Sequence, residues 1–203
     1  MTKRLTAQDW IEFGLATLAR DGFDALKADI LARKLGVSRG SFYWHFTDLR
    51  AFHARVIDHW KRTSTEAIIA DVEQFEPSEE RIEALLRHAF GHSAGVEIRV
   101  RAWADNNADA ARALREADRR RQWYIERLLI AAGIGQQLAA TRTQLLYWTY
   151  LGAALSRSRL AGVRLDRIVT ELKRIGVGGL PGKPAVTRDR HQRRSARGER
   201  KHK

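Results

Sequence analysis

Apolar and polar positions alternate along the chain with the period of an α-helix, and short turns interrupt the pattern. The first helix is predicted over residues 7–20, because large apolar side chains recur there every three or four positions. Thr6 precedes it as an N-cap residue, with Asp9 three positions later, and Asp21-Gly22 ends it. The same pattern predicts further helices over residues 27–35, 38–46, 48–74, 78–90, 96–107, 109–132, 141–161 and 165–175.

The segment from Leu35 to Phe46 combines a tight turn with a short aromatic helix. Gly36 supplies the conformational freedom of the turn, and Ser38 is a favourable N-cap residue. Phe42 and Phe46 lie four positions apart, so they share a face that can pack on the first two helices. The other side chains then point outward, which is typical of the recognition helix of a helix-turn-helix unit. Any small helical bundle would give a similar pattern, so the spacing alone is not specific.

Particular residues make the pattern more specific. Asp21-Gly22-Phe23 follows the first helix, residues 29–38 read Asp-Ile-Leu-Ala-Arg-Lys-Leu-Gly-Val-Ser, and residues 41–46 read Ser-Phe-Tyr-Trp-His-Phe. Over about residues 5–60 the sequence therefore resembles the DNA-binding domain of TetR-family (tetracycline-repressor-like) transcriptional regulators. Such a resemblance implies a DNA-binding regulator, more often a repressor than an activator, that a small-molecule effector releases from its operator.

The resemblance also implies the architecture. The expected fold is all-α, with an N-terminal three-helix helix-turn-helix domain at residues 1–47 and a helical effector-binding and dimerisation domain at residues 48–180. The last two main helices of each chain would form a four-helix homodimer interface, and the two heads would bind a near-palindromic double-stranded DNA operator. The alternative is that these apolar helices are the core of a monomer.

Two positions depart from the family pattern. Leu49 stands where the family usually has a phosphate-binding Lys, and Leu26-Lys27 stands where it often has Thr, so Lys27 is expected to supply a backbone contact. Hydroxyl groups suit phosphate oxygens, whereas Arg39 can bind either guanine O6 and N7 or a phosphate, and the sequence leaves both open. The predicted DNA-binding residues are Lys27, Ser38, Arg39, Gly40, Ser41, Tyr43, Trp44, His45 and Thr47.

The middle of the chain holds the candidates for binding a small apolar or aromatic effector. Ligand sites are usually apolar pockets with a few polar anchors. The predicted effector-binding residues are Trp103, Asn106, Trp123, Tyr147 and Trp148. Plain core packing is the alternative for each of them, and a TetR-like regulator without an effector is also open. The Arg119-Arg120-Arg121 run predicts a solvent-exposed helix face.

The charge of the chain points to polyanion partners. The formal net charge is +13, and residues 181–203 contribute +7 of it through nine Lys and Arg against Asp189 and Glu199. We expect this tail to be disordered, because it is strongly charged and poor in apolar residues. A non-specific nucleic-acid-binding protein driven by the tail is therefore the second interpretation, and a tail that only keeps the protein soluble is the third.

Other classes of protein are disfavoured. There is no cysteine, no Gly-rich phosphate loop and no serine-elbow motif, and His88 and His92 have metal-ligand spacing without further ligands. We therefore expect no catalytic residues, metal or cofactor. The apolar runs fall short of the roughly 18 residues of a membrane helix, and Met1 to Arg4 lead into an amphipathic segment rather than a signal core. A cytoplasmic protein is expected.

Overall fold

The computed structural model describes residues 5–77, 79–92, 95–156 and 160–178, and within these ranges it contains helices and turns but no strand. The predicted all-α fold is confirmed. No helix in these ranges is long and apolar enough to cross a membrane. The helices are α1 Ala7–Asp21, α2 Ala28–Leu35, α3 Arg39–Tyr43, α4 Leu49–Lys61, α5 Ala67–Val72, α6 Glu79–Gly91, α7 Gly95–Ala104, α8 Ala108–Ala131, α9 Gln136–Leu155 and α10 Gly162–Val177.

Several predicted boundaries differ from the structure; for example, α7 ends at Ala104 rather than at residue 107, and α10 begins at Gly162 rather than at residue 165. The helix predicted over 48–74 is α4 and α5 joined by a π-helical turn, Arg62–Glu66. The helix predicted over 38–46 is regular only from Arg39 to Tyr43, and Ser38 is its N-cap residue but makes no side-chain capping hydrogen bond. Helix α9 begins at Gln136 rather than at residue 141. The sequence pattern missed this start, because the first turn is polar and lacks the apolar period. The tail, residues 181–203, lies outside the described residues.

Helix α1 begins as its sequence predicts. The Thr6 hydroxyl accepts from the Asp9 amide at 3.1 Å, and the Asp9 carboxylate accepts from the Thr6 amide at 2.7 Å, which completes a capping box. The middle of α1 lies very close to α4. A Cβ added to Gly14 would stand only 2.6 Å from Phe52 Cζ, so only glycine fits at this position without a shift. This close approach fixes α4 against the first helix of the head.

One core joins the head to the rest of the chain. Phe42 and Phe52 are fully buried beside Trp10, and the ring of Phe42 meets that of Trp10 edge to face at 5.4 Å. The same cluster includes Val100 and Trp103 of α7 and two alanines of α8. Phe23 stacks on Trp103 with ring centroids 4.9 Å apart. Helices α7 and α8 therefore support the head directly, while the domain boundary predicted at residue 47 stays a prediction.

A second core holds the other end of the molecule. It is formed by buried residues of α6, α8, α9 and α10, among them Phe90, Leu129, Leu146 and Val169. Arg142 of α9 closes the C-terminus of α10 by donating to the backbone carbonyls of Gly176 and Gly178 at 2.8 and 2.7 Å. Helix α10 is thus fixed to α9 and α6.

The predicted solvent exposure of the Arg119-Arg120-Arg121 run is wrong for Arg121. Its side chain is 12% exposed and donates to the Glu97 carboxylate at 3.1 Å. Arg101 bridges the same Glu97 at 2.8 Å and Asp118 at 2.7 Å. Tyr147 donates to Asp118 at 2.6 Å. This ionic network ties α7, α8 and α9 together.

Candidate nucleic-acid interface

The turn between α2 and α3 has the geometry that its sequence predicts. Gly36 adopts a left-handed conformation with φ of 68°, and its amide donates to the Arg33 carbonyl at 3.2 Å. The Val37 amide donates to the Ala32 carbonyl at 3.0 Å. These bonds end α2 and turn the chain into α3 within three residues.

Helix α3 is anchored by its apolar side and leaves its polar side open. Phe42 is fully buried, Phe46 is 5% exposed, and both pack against Phe52 of α4. Beyond Tyr43 the chain continues in single hydrogen-bonded turns, with the Trp44 amide donating to the Gly40 carbonyl at 3.1 Å. This short segment, residues 39–46, which we call the recognition segment, is therefore anchored on α4 by its two phenylalanines.

Most of the predicted DNA-binding residues lie on the surface. Trp44 is 73% and Tyr43 44% exposed, and Ser41 and His45 are half-buried. No Cβ clash would arise at Gly40, where the nearest atom is Ser38 Oγ at 3.8 Å. The exposed members are Lys27, Ser38, Arg39, Gly40, Tyr43, Trp44 and Thr47.

Arg39 and Tyr43 form a pair on the exposed face of α3. The Arg39 guanidinium donates to the Tyr43 hydroxyl at 3.2 Å and lies 5.4 Å from the centre of its ring. The hydrogen bond with Tyr43 raises the pKa of Arg39, so the cation is always present. A guanidinium oriented in this way can bind a guanine edge or a phosphate, while the hydroxyl is also placed for a phosphate oxygen.

The His45 side chain is half-buried, and its ring is bound to another part of the head. Its Nε2 lies 2.8 Å from the Leu5 carbonyl oxygen, and since a carbonyl only accepts, Nε2 carries the proton. The bond ties the end of the recognition segment to the residue that precedes the cap of α1. Nε2 is thus engaged within the protein, and only Nδ1 of the ring is left for another partner.

Lys27 and Leu49 flank the recognition segment. Lys27 is the N-cap residue of α2, is exposed, and makes no side-chain capping bond. Its ammonium group and the N-terminus of α2 both favour a phosphate. Leu49 is half-buried and packs against the head core, so its side chain cannot replace a phosphate-binding Lys. Lys27 therefore stays the residue predicted to make the backbone contact on this side.

The predicted effector-binding residues have separate surroundings. Trp103 is buried against Phe23, and Tyr147 is buried beside Asp118 in the ionic network. Trp123 and Trp148 are 51% and 60% exposed. Asn106 is exposed in the turn before α8. These five side chains therefore have different environments. The sequence does not predict this difference, since an aromatic composition does not specify which way each ring points.

The two histidines of α6 have close rings but no metal-site geometry. The rings of His88 and His92 stack with centroids 4.2 Å apart, and His92 Nδ1 donates to the His88 carbonyl at 2.9 Å. Burial, with the charge of His92 adding to it, lowers the pKa of His88. Among the described residues no group of three His, Asp or Glu is placed to hold a metal ion.

Comparison with protein families places the recognition segment in a known class. A sequence model described as "Bacterial regulatory proteins, tetR family" matches residues 11–52. The match begins in α1, includes all of α2 and α3, and ends in α4. Comparison with curated protein sequences gives no significant match.

Solved structures share the fold along most of the chain. A protein from Saccharomonospora viridis described as a transcriptional regulator, solved in complex with choline, superposes with a TM-score of 0.68 at 16% identity, covering 82% of this chain and 92% of that one. The fatty acid degradation regulator FadR from Bacillus halodurans gives 0.63 at 15%, covering 86% and 96%. The ketosteroid regulator KstR2 of Mycobacterium tuberculosis gives 0.58 at 14%, covering 88% and 95%. At these identities the likeness is one of fold.

Proposed function

Because the chain is a DNA-binding transcriptional regulator of the tetR family, we propose that it is a repressor that binds a near-palindromic operator as a homodimer and is released by a small molecule. DNA binding belongs to residues 1–47, and effector binding and dimerisation belong to residues 48–180. The observation that carries the proposal is the α3 segment, which buries Phe42 and exposes Arg39, Tyr43 and Trp44.

The exposed stripe of α9 supports the homodimer. Leu138, Leu145, Trp148 and Leu155 follow one another at spacings of seven, three and seven residues, so they share one helix face, and each is 46–62% exposed. Large apolar side chains at this density need a partner surface. A second copy of the chain supplies one, because a two-fold axis brings identical stripes together.

Release by an effector requires that a ligand bind two states of the protein with different affinity. The protein from Saccharomonospora viridis, which shares this fold, was solved in complex with choline, which supports a small-molecule ligand for this chain. Helices α7 and α8 share the core of the head, so a change in the body can move α3. This arrangement favours an effector-controlled regulator over one without an effector.

Salt dependence and deletion of the tail test the proposal against non-specific binding. For an operator fragment, removal of residues 181–203 should reduce affinity and flatten its salt dependence while preference for the operator over random DNA persists. If the deletion abolishes all binding, the tail is the DNA-binding element and the specific-repressor proposal fails. A ligand that lowers operator affinity supports release, and an operator affinity that no metabolite extract changes would contradict that part.

A further inference from the structure

A cleft of about 250 Å³ lies between α4, α6 and α7, with α1 and α9 closing its ends. Its inner wall includes Trp60, which is fully buried, and Glu97, which is 3% exposed. Ile68, Val96 and Tyr150 add apolar surface. The stacked His88 and His92 lie on the α6 side. The cleft is separate from the recognition face and contains none of the five effector-binding residues that the sequence predicted.

The α4 side of the cleft is the π-helical turn. Its Ser64 hydroxyl donates to the Trp60 carbonyl at 2.6 Å, and Arg121 of α8 donates to the Ser64 carbonyl at 3.2 Å and to the Thr65 hydroxyl at 3.0 Å. Arg121 therefore satisfies the backbone that the extra residue frees. A π-helical turn inside an α-helix is uncommon and often marks a functional site.

The charges behind the cleft compensate one another. Glu97 and Asp118 carry two negative charges, and Arg101 and Arg121 carry two positive ones, with bridges of 2.7 to 3.1 Å in three of the four pairings. A charged ligand would enter without an unpaired counter-ion and would lose its hydration. The balance favours a neutral molecule.

One hydrogen-bond donor in the wall is unsatisfied. The Nε1–H of Trp60 is buried and has no acceptor among the described residues. An unpaired buried donor costs free energy that a ligand acceptor can recover. The remaining wall is largely apolar, so a compact apolar frame with one hydroxyl or carbonyl oxygen would match both the shape and the polarity.

From these observations we infer that the cleft is a binding site for a small neutral molecule with a compact apolar frame and one hydroxyl or carbonyl oxygen, which accepts from Trp60 Nε1. As the effector site, this inference rests on the proposed function. The ligand contacts α4 through Trp60, the π-helical turn through Ser64 and α5 through Ile68, and α4 follows directly on the recognition segment. Occupancy is therefore sensed by the helix that carries the head.

Three probes with one ring and different head groups test the ligand class on the full chain without DNA. Cyclohexanol, cyclohexanecarboxylate and cyclohexylammonium are compared by saturation-transfer NMR and isothermal titration. We expect cyclohexanol to bind at least about tenfold more tightly than either ion, because only the ions lose hydration without a partner charge. Tighter binding of the carboxylate or the ammonium ion would overturn the neutral class.

Two variants test the position of the site. Ala89→Phe places a ring in the cleft and should abolish cyclohexanol binding in a protein that keeps its helical circular dichroism, whereas Ala70→Phe on the exposed face of α5 should leave binding unchanged. Unchanged binding in the Ala89 variant would overturn the site. Binding by the isolated protein does not depend on operator recognition, so failure here and failure of the repressor proposal are distinguishable.

Trp60→Phe tests the hydrogen bond. Loss of one such bond should weaken cyclohexanol about fivefold while leaving cyclohexene, which has no acceptor oxygen, unaffected. An equal loss for both probes would show that Trp60 only shapes the wall, and would overturn its role as donor.

Discussion

The guanidinium of Arg39 and the hydroxyl of Tyr43 lie 3.2 Å apart, one turn from each other on the exposed side of α3. The pair restricts the rotamers of a long cation that would otherwise be ordered only on binding. Since ordering a long side chain costs about 1–2 kcal/mol, a cation ordered in advance loses less on binding DNA. The pair thus links the fold of α3 to its proposed contacts.

Tyr43 should matter for operator affinity rather than for folding. Tyr43→Phe removes the hydroxyl and should weaken operator binding about three- to tenfold, and Tyr43→Ala should weaken it further. Fluorescence anisotropy gives the affinity, and light scattering gives the mass in solution. A Tyr43→Ala protein that loses the dimer would mean that the residue is structural.

Gly14 should tolerate no side chain. A Cβ there would stand 2.6 Å from Phe52 Cζ and 3.1 Å from Val56 Cγ2, so Gly14→Ala should lower the free energy of unfolding by about 1–3 kcal/mol. Gly40→Ala, where the nearest atom is 3.8 Å away, is the matched control and should not destabilise the protein. Equal urea midpoints for the two variants would contradict the close approach of α1 and α4.

Arg121 should contribute far more to stability than its neighbour. Arg121→Met removes one of the two arginines that pair with Glu97, together with the donor to the π-helical turn, and should cost about 3 kcal/mol, by analogy with broken buried ion pairs. Arg119→Met, two residues earlier on the exposed face, should change stability by less than about 0.5 kcal/mol. Chemical denaturation of both proteins compares them directly.

Burial lowers the pKa of His53, although its hydrogen bond to the Leu26 carbonyl acts in the opposite direction. The unfolded chain therefore binds a proton near pH 6.5 that the folded chain does not, so stability falls as the pH drops through about that value. His53→Gln should flatten this dependence between about pH 7.5 and 5.5, with His59→Gln as the control on the same helix. Identical pH profiles for wild type and His53→Gln would rule out this cause.

The stripe on α9 should determine the oligomeric state. Trp148→Arg places a charge in the proposed interface and should give a monomer in light scattering, together with a large loss of operator affinity. Ile130→Arg changes an exposed residue of α8 and should remain dimeric. A dimeric Trp148 variant would place the interface elsewhere.

Local sequence signals predicted the head well. The capping box of α1, the left-handed Gly36 and the shared face of Phe42 and Phe46 depend on residues close together in the chain, and the structure contains all three. The first turn of α9 gave no such signal, because polar residues begin it. Neighbouring residues are thus enough to specify the recognition segment.

The wall of the cleft could not be predicted in the same way. Arg121 meets Ser64 across 57 residues and Glu97 across 24, and an arginine in a run of three looks solvent-exposed from sequence. The π-helical turn has no apolar period of its own. It receives hydrogen bonds from Arg121 of α8, which is distant in the sequence. The aromatic residues predicted to bind an effector differ in burial for a related reason, since composition carries no information about orientation.

Selection of bound fragments from a random DNA pool tests directly whether the protein recognises a specific DNA sequence as a symmetric dimer. We expect an enriched near-palindromic consensus, because the two copies of α3 that bind it are related by a two-fold axis. The half-sites should be centred about one helical turn, or a small multiple of it, apart. The full chain and the chain without residues 181–203 should enrich the same sequence. A pool that shows no enrichment over its input would contradict sequence-specific DNA binding.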